Sequence, residues 1–105
     1  MHHEPFNPIR AAKWISKVNK LNYCTRCGKL GKVDAAHYCG RFAHLFGKGT
    51  SRKCSDHLTA ALCRDCHTHM DQYKDGNDLD RSVEFFICIA RTYQALIESG
   101  SLVLR

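Results

Sequence analysis

The apolar positions change rhythm along the chain, and each rhythm predicts an element. Ile9, Ala12, Ile15 and Val18, with Trp14 beside them, recur at helical spacing among Arg10, Lys13, Lys17 and Lys20. An amphipathic helix is therefore expected over 8–20, its stripe on the core and its basic face available to phosphates. Asn7-Pro8 marks its start, since Asn can cap and Pro at the first helical position gives up no N–H that the helix uses. Two short runs, Val33 to Tyr38 and Thr59 to Leu62, read as the arms of a hairpin. No Gly or Pro interrupts the chain between Cys66 and Gly76, so a helix of about three turns is expected after the second run.

The last rhythm is the longest. From Leu79 to Ser99, Val83, Phe86, Ile87, Ala90, Tyr93, Leu96 and Ile97 recur at helical spacing, and Phe85, Cys88 and Ile89 widen the stripe almost all round. Asp78 or Asp80 starts this helix over 79–99, and Gly100 stops it. A helix so apolar is buried on two sides or used for dimerisation; burial against the first helix is the preferred reading, with a homodimer through this helix as the other outcome.

Between the two strands, Cys39 to Ser55 holds Gly40, Gly47 and Gly49 together with Arg41, Lys48, Arg52 and Lys53. It reads as a flexible cationic loop that can close over a phosphate backbone, anchored by Phe42, Leu45 and Phe46. Lys74 to Asp78 is a polar turn, and Met1 to Phe6 reads as an untethered end.

At 105 residues the chain is one domain, 1–105, near the size at which a core is marginal without a metal or other staple. Cysteines supply the candidate. Tyr23-Cys24-Thr25-Arg26-Cys27-Gly28-Lys29 has the form of a zinc knuckle, and Cys63-Arg64-Asp65-Cys66 repeats the pair after an interval of 35 residues. Cys24, Cys27, Cys63 and Cys66 thus predict a closed four-cysteine zinc site. A knuckle, a hairpin and a helix that begins with the second ligand pair form a treble-clef arrangement over 23–74. The expected fold class is α+β, a small zinc-bound core between an N-terminal and a long C-terminal helix. Cys39, Cys54 and Cys88 have no partner at zinc spacing and are expected to pack as small apolar groups.

Charge adds a partner. Residues 10–53 carry eleven Lys or Arg against the single acid Asp34, whereas residues 54–105 carry five bases against eight acids. One basic half suits a polyphosphate, nucleic acid above all. No apolar run reaches the length of a signal peptide or a membrane span, so a cytoplasmic, reducing location and no membrane partner are expected.

The motifs Val33-Asp34-Ala35-Ala36-His37, Gly47-Lys48-Gly49, Lys53-Cys54-Ser55-Asp56 and Leu62-Cys63-x-x-Cys66-His67-x-x-x-Asp71 occur in an order and spacing that resembles the HNH nuclease superfamily, the ββα-metal endonucleases. Small phage and prophage members associated with recombination are the most similar. The resemblance covers Tyr23 to Tyr73. It implies a DNA endonuclease leaving 5′-phosphate and 3′-hydroxyl ends, acting in a bacterial cytoplasm with a recombinase or other host recombination protein as a further partner. It also implies roles: His37 as general base, His67 and Asp71 as ligands of a catalytic Mg²⁺ or Mn²⁺, and Asp56 near the middle position, usually Asn, that helps to hold the base. Ala36 stands where many members have a further metal ligand.

Elementary chemistry suits those roles. Phosphodiester hydrolysis needs a base that titrates near neutrality, which imidazole does, and an ion with open positions for phosphate and water. His67 and Asp71, four apart on a helix, share one face. Arg41, Lys48, Arg52, Lys53 and His69 are the candidate DNA contacts. The alternative is a non-catalytic treble-clef zinc module that binds nucleic acid, and a weaker third is a protein-interaction domain working through the last helix.

Overall fold

The computed structural model describes residues 7–49, 52–72 and 78–103; the expected turn at 74–78, apart from Asp78, and the expected free end at 1–6 lie outside them. Among the described residues, three α-helices and one two-stranded sheet make an α+β domain in the order α1 (Ala12–Asn19), β1 (Asp34–His37), β2 (Thr59–Leu62), α2 (Arg64–Asp71) and α3 (Asp78–Glu98). Among the described residues, no helix is long and apolar enough to cross a membrane.

The sheet is a single antiparallel pair in which Asp34 faces Leu62 and His37 faces Thr59. All four residues of β2 are buried, because α3 packs across one side of the strand and α1 covers part of it. In a two-stranded sheet both strands are edges, so N–H groups that point away from the partner strand have no ladder bond, and buried ones must be satisfied elsewhere. Here the Ala61 N–H donates to Thr92 Oγ1 of α3 at 3.0 Å, and that hydroxyl donates to Cys88 O at 2.8 Å. Ser82, one helix stretch earlier, accepts from the Arg41 N–H at 2.9 Å. The two buried polar residues of α3 therefore sit on its core face by necessity.

That placement corrects the expected stripe. The face of α3 that is buried carries Ser82, Phe85, Cys88, Ile89, Thr92, Ala95 and Leu96, whereas Val83, Ile87 and Ile97 are exposed. Apolar periodicity alone put the wrong edge inward, because hydrogen-bonding Ser82 and Thr92 did not count as core. The preferred partner is corrected too: α3 lies chiefly on β2, with the lesser contact on α1.

The first helix starts four residues later than expected, at Ala12. Asn7 does not cap it. Instead the strand-like stretch before it is held by the end of the 39–55 loop: the Ile9 N–H donates to Ser55 Oγ at 2.9 Å, the Asp56 N–H to Ile9 O at 2.8 Å, and the Ala11 N–H to Asp56 Oδ2 at 2.7 Å. Ile9 is consequently exposed rather than in the apolar stripe. Val18 is fully buried, and Trp14 packs at a tilt against Tyr93 with ring centroids 4.7 Å apart.

The loop is also more ordered than expected. A 3-10 turn spans Ala43–Phe46, and Ser55 N–H returns to Phe46 O at 2.9 Å. Phe42 and Phe46 pack on the core as anchors, while Leu45 is exposed. Gly47 has φ +93, and a Cβ there would run into Pro8, so glycine is needed for both its backbone angle and its clearance. Finally, α2 ends at Asp71, about two turns long rather than three.

Candidate functional site: a cysteine cluster and a histidine cleft

The knuckle forms as its residue types require. Tyr23 bridges Leu30, the Cys24 N–H donates to Lys29 O and the Gly28 N–H to Cys24 O, each at 2.9 Å, and Gly28 takes φ +79 at the turn. Cys63 follows β2 and stands at the N-cap of α2 with extended backbone, so Cys66 falls in the first turn of that helix. The four sulfurs of Cys24, Cys27, Cys63 and Cys66 lie within 4.8 Å of one another. Cys27 Sγ and Cys63 Sγ are 3.9 Å apart, close to the edge of roughly 3.8 Å that a tetrahedron with Zn–S bonds of about 2.3 Å requires. The donor set and its size fit a structural zinc.

The electrostatics point the same way. Burial pushes the Cys24 thiol up, but backbone N–H donors from Cys27, Cys63 and Arg26 outweigh it and bring the group down to about 6. Burial, reinforced by the neighbouring thiols and opposed by the Arg26 guanidinium, pushes Cys66 up to about 12. The Cys24 sulfur ionises readily while Cys66 resists, and a bound cation would offset the repulsion among clustered thiolates. Thr25 ties this cluster to the core through its N–H and hydroxyl, both donating to Ala61 O at 2.9 Å.

On the other side of α2 a cleft of about 170 Å³ is lined by His37, Tyr38, Cys39, Lys48, Lys53, Cys54, His67 and Asp71. It brings together five of the residues singled out as catalytic, metal-binding or DNA-binding, from β1, α2 and the loop: His37, Lys48, Lys53, His67 and Asp71. Asp56 stands behind His37, its Oδ1 2.8 Å from His37 Nε2. Arg41, Arg52 and His69 lie on exposed surface outside the cleft.

Asp56 is the best-partnered group of this region. Its Oδ1 also accepts from Arg10 Nη1 at 3.1 Å and its Oδ2 from the Ala11 N–H at 2.7 Å. Burial works against its charge, yet the hydrogen bonds from His37 and Ala11 and the nearby Arg10 outweigh it and hold the carboxyl below the usual carboxylate range. His37 is thus oriented through Nε2, while its Nδ1 has no protein partner among the described residues.

His67 is held from both ends. Nδ1 is 3.3 Å from Asp34 Oδ2 and Nε2 is 3.3 Å from Asp71 Oδ2. The first contact orients the ring, and the second leaves an imidazole nitrogen and a carboxylate side by side at the cleft. Among the described residues, no group of three donors besides the four cysteines is mutually within 4.8 Å.

Comparison of the chain with protein-family models, with curated proteins and with solved structures found no match in any of the three. The reading of this region therefore rests on its own geometry.

Sequence reasoning missed three contributors. Arg10 fastens Asp56 and also donates to Cys54 O at 2.8 Å and Lys53 O at 2.7 Å; it lies 46 residues away from Asp56 with no local signal. Asp34 carried one, as the sole acid of the basic half. Cys39, expected as packing, is half-buried in the cleft wall with its Sγ 3.6 Å from Asp71 Oδ1, whereas Cys54 and Cys88 are buried.

Proposed function

We propose that the protein is a metal-dependent DNA endonuclease of the HNH, or ββα-metal, type, built on a treble-clef core that zinc closes. The observation that carries the reading is the Asp56–His37 pair at the wall of a cleft that also holds His67, Asp71, Lys48 and Lys53. An ionised Asp56 on Nε2 fixes that nitrogen as the N–H and leaves Nδ1 as a lone pair, which is the state a general base needs. The carboxylate also stabilises the imidazolium that forms when the proton arrives.

Hydrolysis then divides among the side chains. His37 takes a proton from water as the water oxygen bonds to phosphorus and the bond to the 3′ oxygen breaks, and the departing oxygen takes a proton from solvent, leaving a 5′-phosphate and a 3′-hydroxyl. Lys48 and Lys53 hold phosphate oxygens as point charges. His67 Nε2 and Asp71 are the groups that would hold Mg²⁺ or Mn²⁺, which supplies charge stabilisation on the phosphate and the departing oxygen. Asp34, on the far nitrogen of His67, fixes the tautomer that presents Nε2, as outer carboxylates do for metal-binding imidazoles. The resemblance to recombination-associated phage enzymes extends the proposal to a recombination setting, with a recombinase as a further partner.

The test is cleavage of supercoiled plasmid, single strands and a branched junction by zinc-loaded protein, with and without Mg²⁺ or Mn²⁺. His37→Ala is expected to lose on the order of 10²- to 10⁴-fold in rate while keeping fold and DNA affinity. Full activity in that variant contradicts the assignment of the base. Binding without cutting on every substrate favours the non-catalytic zinc module.

A further inference from the structure

A second cleft, of about 280 Å³, opens beside the knuckle and is lined by Lys29, Leu30, Gly31 and Lys32 on one wall and Cys63, Arg64 and Asp65 on the other. It shares no lining residue with the histidine cleft. Three cations face one acid, and the side chains of Lys29, Lys32 and Arg64 are all exposed. Leu30, at the rim, is 78% exposed, an apolar surface beside charge.

The two clefts adjoin. Arg64 and His67 are three apart on α2, hence neighbours about 5–6 Å apart on one face. Both reach the same oxygen: Arg64 Nη2 is 3.2 Å and His67 Nδ1 3.3 Å from Asp34 Oδ2. Asp34 is therefore a partition with the histidine cleft on one side and the lysine cleft on the other. A strand that crosses this partition meets both clefts in succession.

We propose that the lysine cleft is a second phosphate subsite, which seats a backbone phosphate of the same DNA strand that enters the histidine cleft. It deepens the nuclease reading and rests on it for the identity of the strand. Lys29 and Lys32 supply point charges, Arg64 supplies a directed N–H donor whose other partner is Asp34, and Leu30 packs against a sugar or base edge. In this arrangement the zinc knuckle does more than staple the fold, because its tip sets where along the strand the cleaved bond falls.

The experiment is titration of ¹⁵N-labelled, zinc-loaded protein, free of Mg²⁺ and Mn²⁺, with a short single-stranded DNA. Shifts are expected at Gly31, Lys32 and Arg64 together with those around His37, Lys48 and Lys53. In Lys29→Ala/Lys32→Ala the first set disappears and the second persists, and the salt dependence of log K falls by about 0.7, the value for one phosphate on a single strand. Zinc content of one per chain in the variant shows that the knuckle is intact. Shifts confined to the histidine cleft, with an unchanged salt slope in the variant, overturn the subsite and leave the nuclease reading standing. No shifts anywhere overturn both.

Discussion

The cysteine cluster and the histidine cleft both draw on α2, which sends Cys66 to one side and His67 with Asp71 to the other. Successive helical residues point about 100° apart, so adjacent positions serve different faces. Their chemistry differs as their exposure does. Three of the four cysteines are buried and their sulfurs face one another, leaving no room for a substrate. The cleft is open, mixes nitrogen and oxygen donors, and has two lysines at its wall. A metal among the four cysteines would hold the chain together; in the proposed reading, one at the cleft would meet a phosphate. The contrast teaches that number of donors and burial, more than donor identity alone, separate a closed metal cluster from an open cleft.

The largest way to break the contrast is to remove the staple. Chelation of zinc, or Cys63→Ser, is expected to abolish the cooperative thermal transition followed by circular dichroism, since structural zinc in small folds contributes on the order of 10 kcal/mol. A chelated protein that melts as before would show the cluster to be dispensable. Asp56→Asn comes next. It leaves buried hydrogen bonds from His37, Arg10 and Ala11 weakened and is expected to cost about 1–3 kcal/mol at pH 7 in urea unfolding. Because the folded carboxyl is held below its ordinary range, its stabilisation is fully present above that range and disappears as pH falls through the depressed value. The gap between wild type and variant should close on acidification, and a gap that widens would reverse the sign. The smallest effects belong to Lys48→Ala and Lys53→Ala, each expected to lower the salt slope of duplex DNA binding by about 0.9 with no change in melting.

Much of the frame was legible because its signals are local. The knuckle spacing, the alternation around His37 and the uninterrupted stretch after Cys63 each lie within one element, and the cluster of Cys24, Cys27, Cys63 and Cys66 follows from them. What escaped depends on distant partners. The late start of α1 comes from Ser55 and Asp56 occupying the backbone of Ile9 and Ala11, a competition that cap residues at 7 and 8 do not reveal. The rotated core face of α3 comes from the need of β2 for a hydroxyl at Thr92. His37, His67 and Asp71 were legible as residue types, but Asp34 beside His67 and Arg10 beside Asp56 were not, since each pairing requires the folded register.

The proposed division between a closed and an open metal site is tested most directly by Mn²⁺ binding to the zinc-loaded protein, read by electron paramagnetic resonance alongside zinc content. One Mn²⁺ per chain is expected, lost in His67→Ala and in Asp71→Ala while one zinc per chain remains in both. Loss of zinc from His67→Ala would place that histidine in the cysteine site and contradict the account.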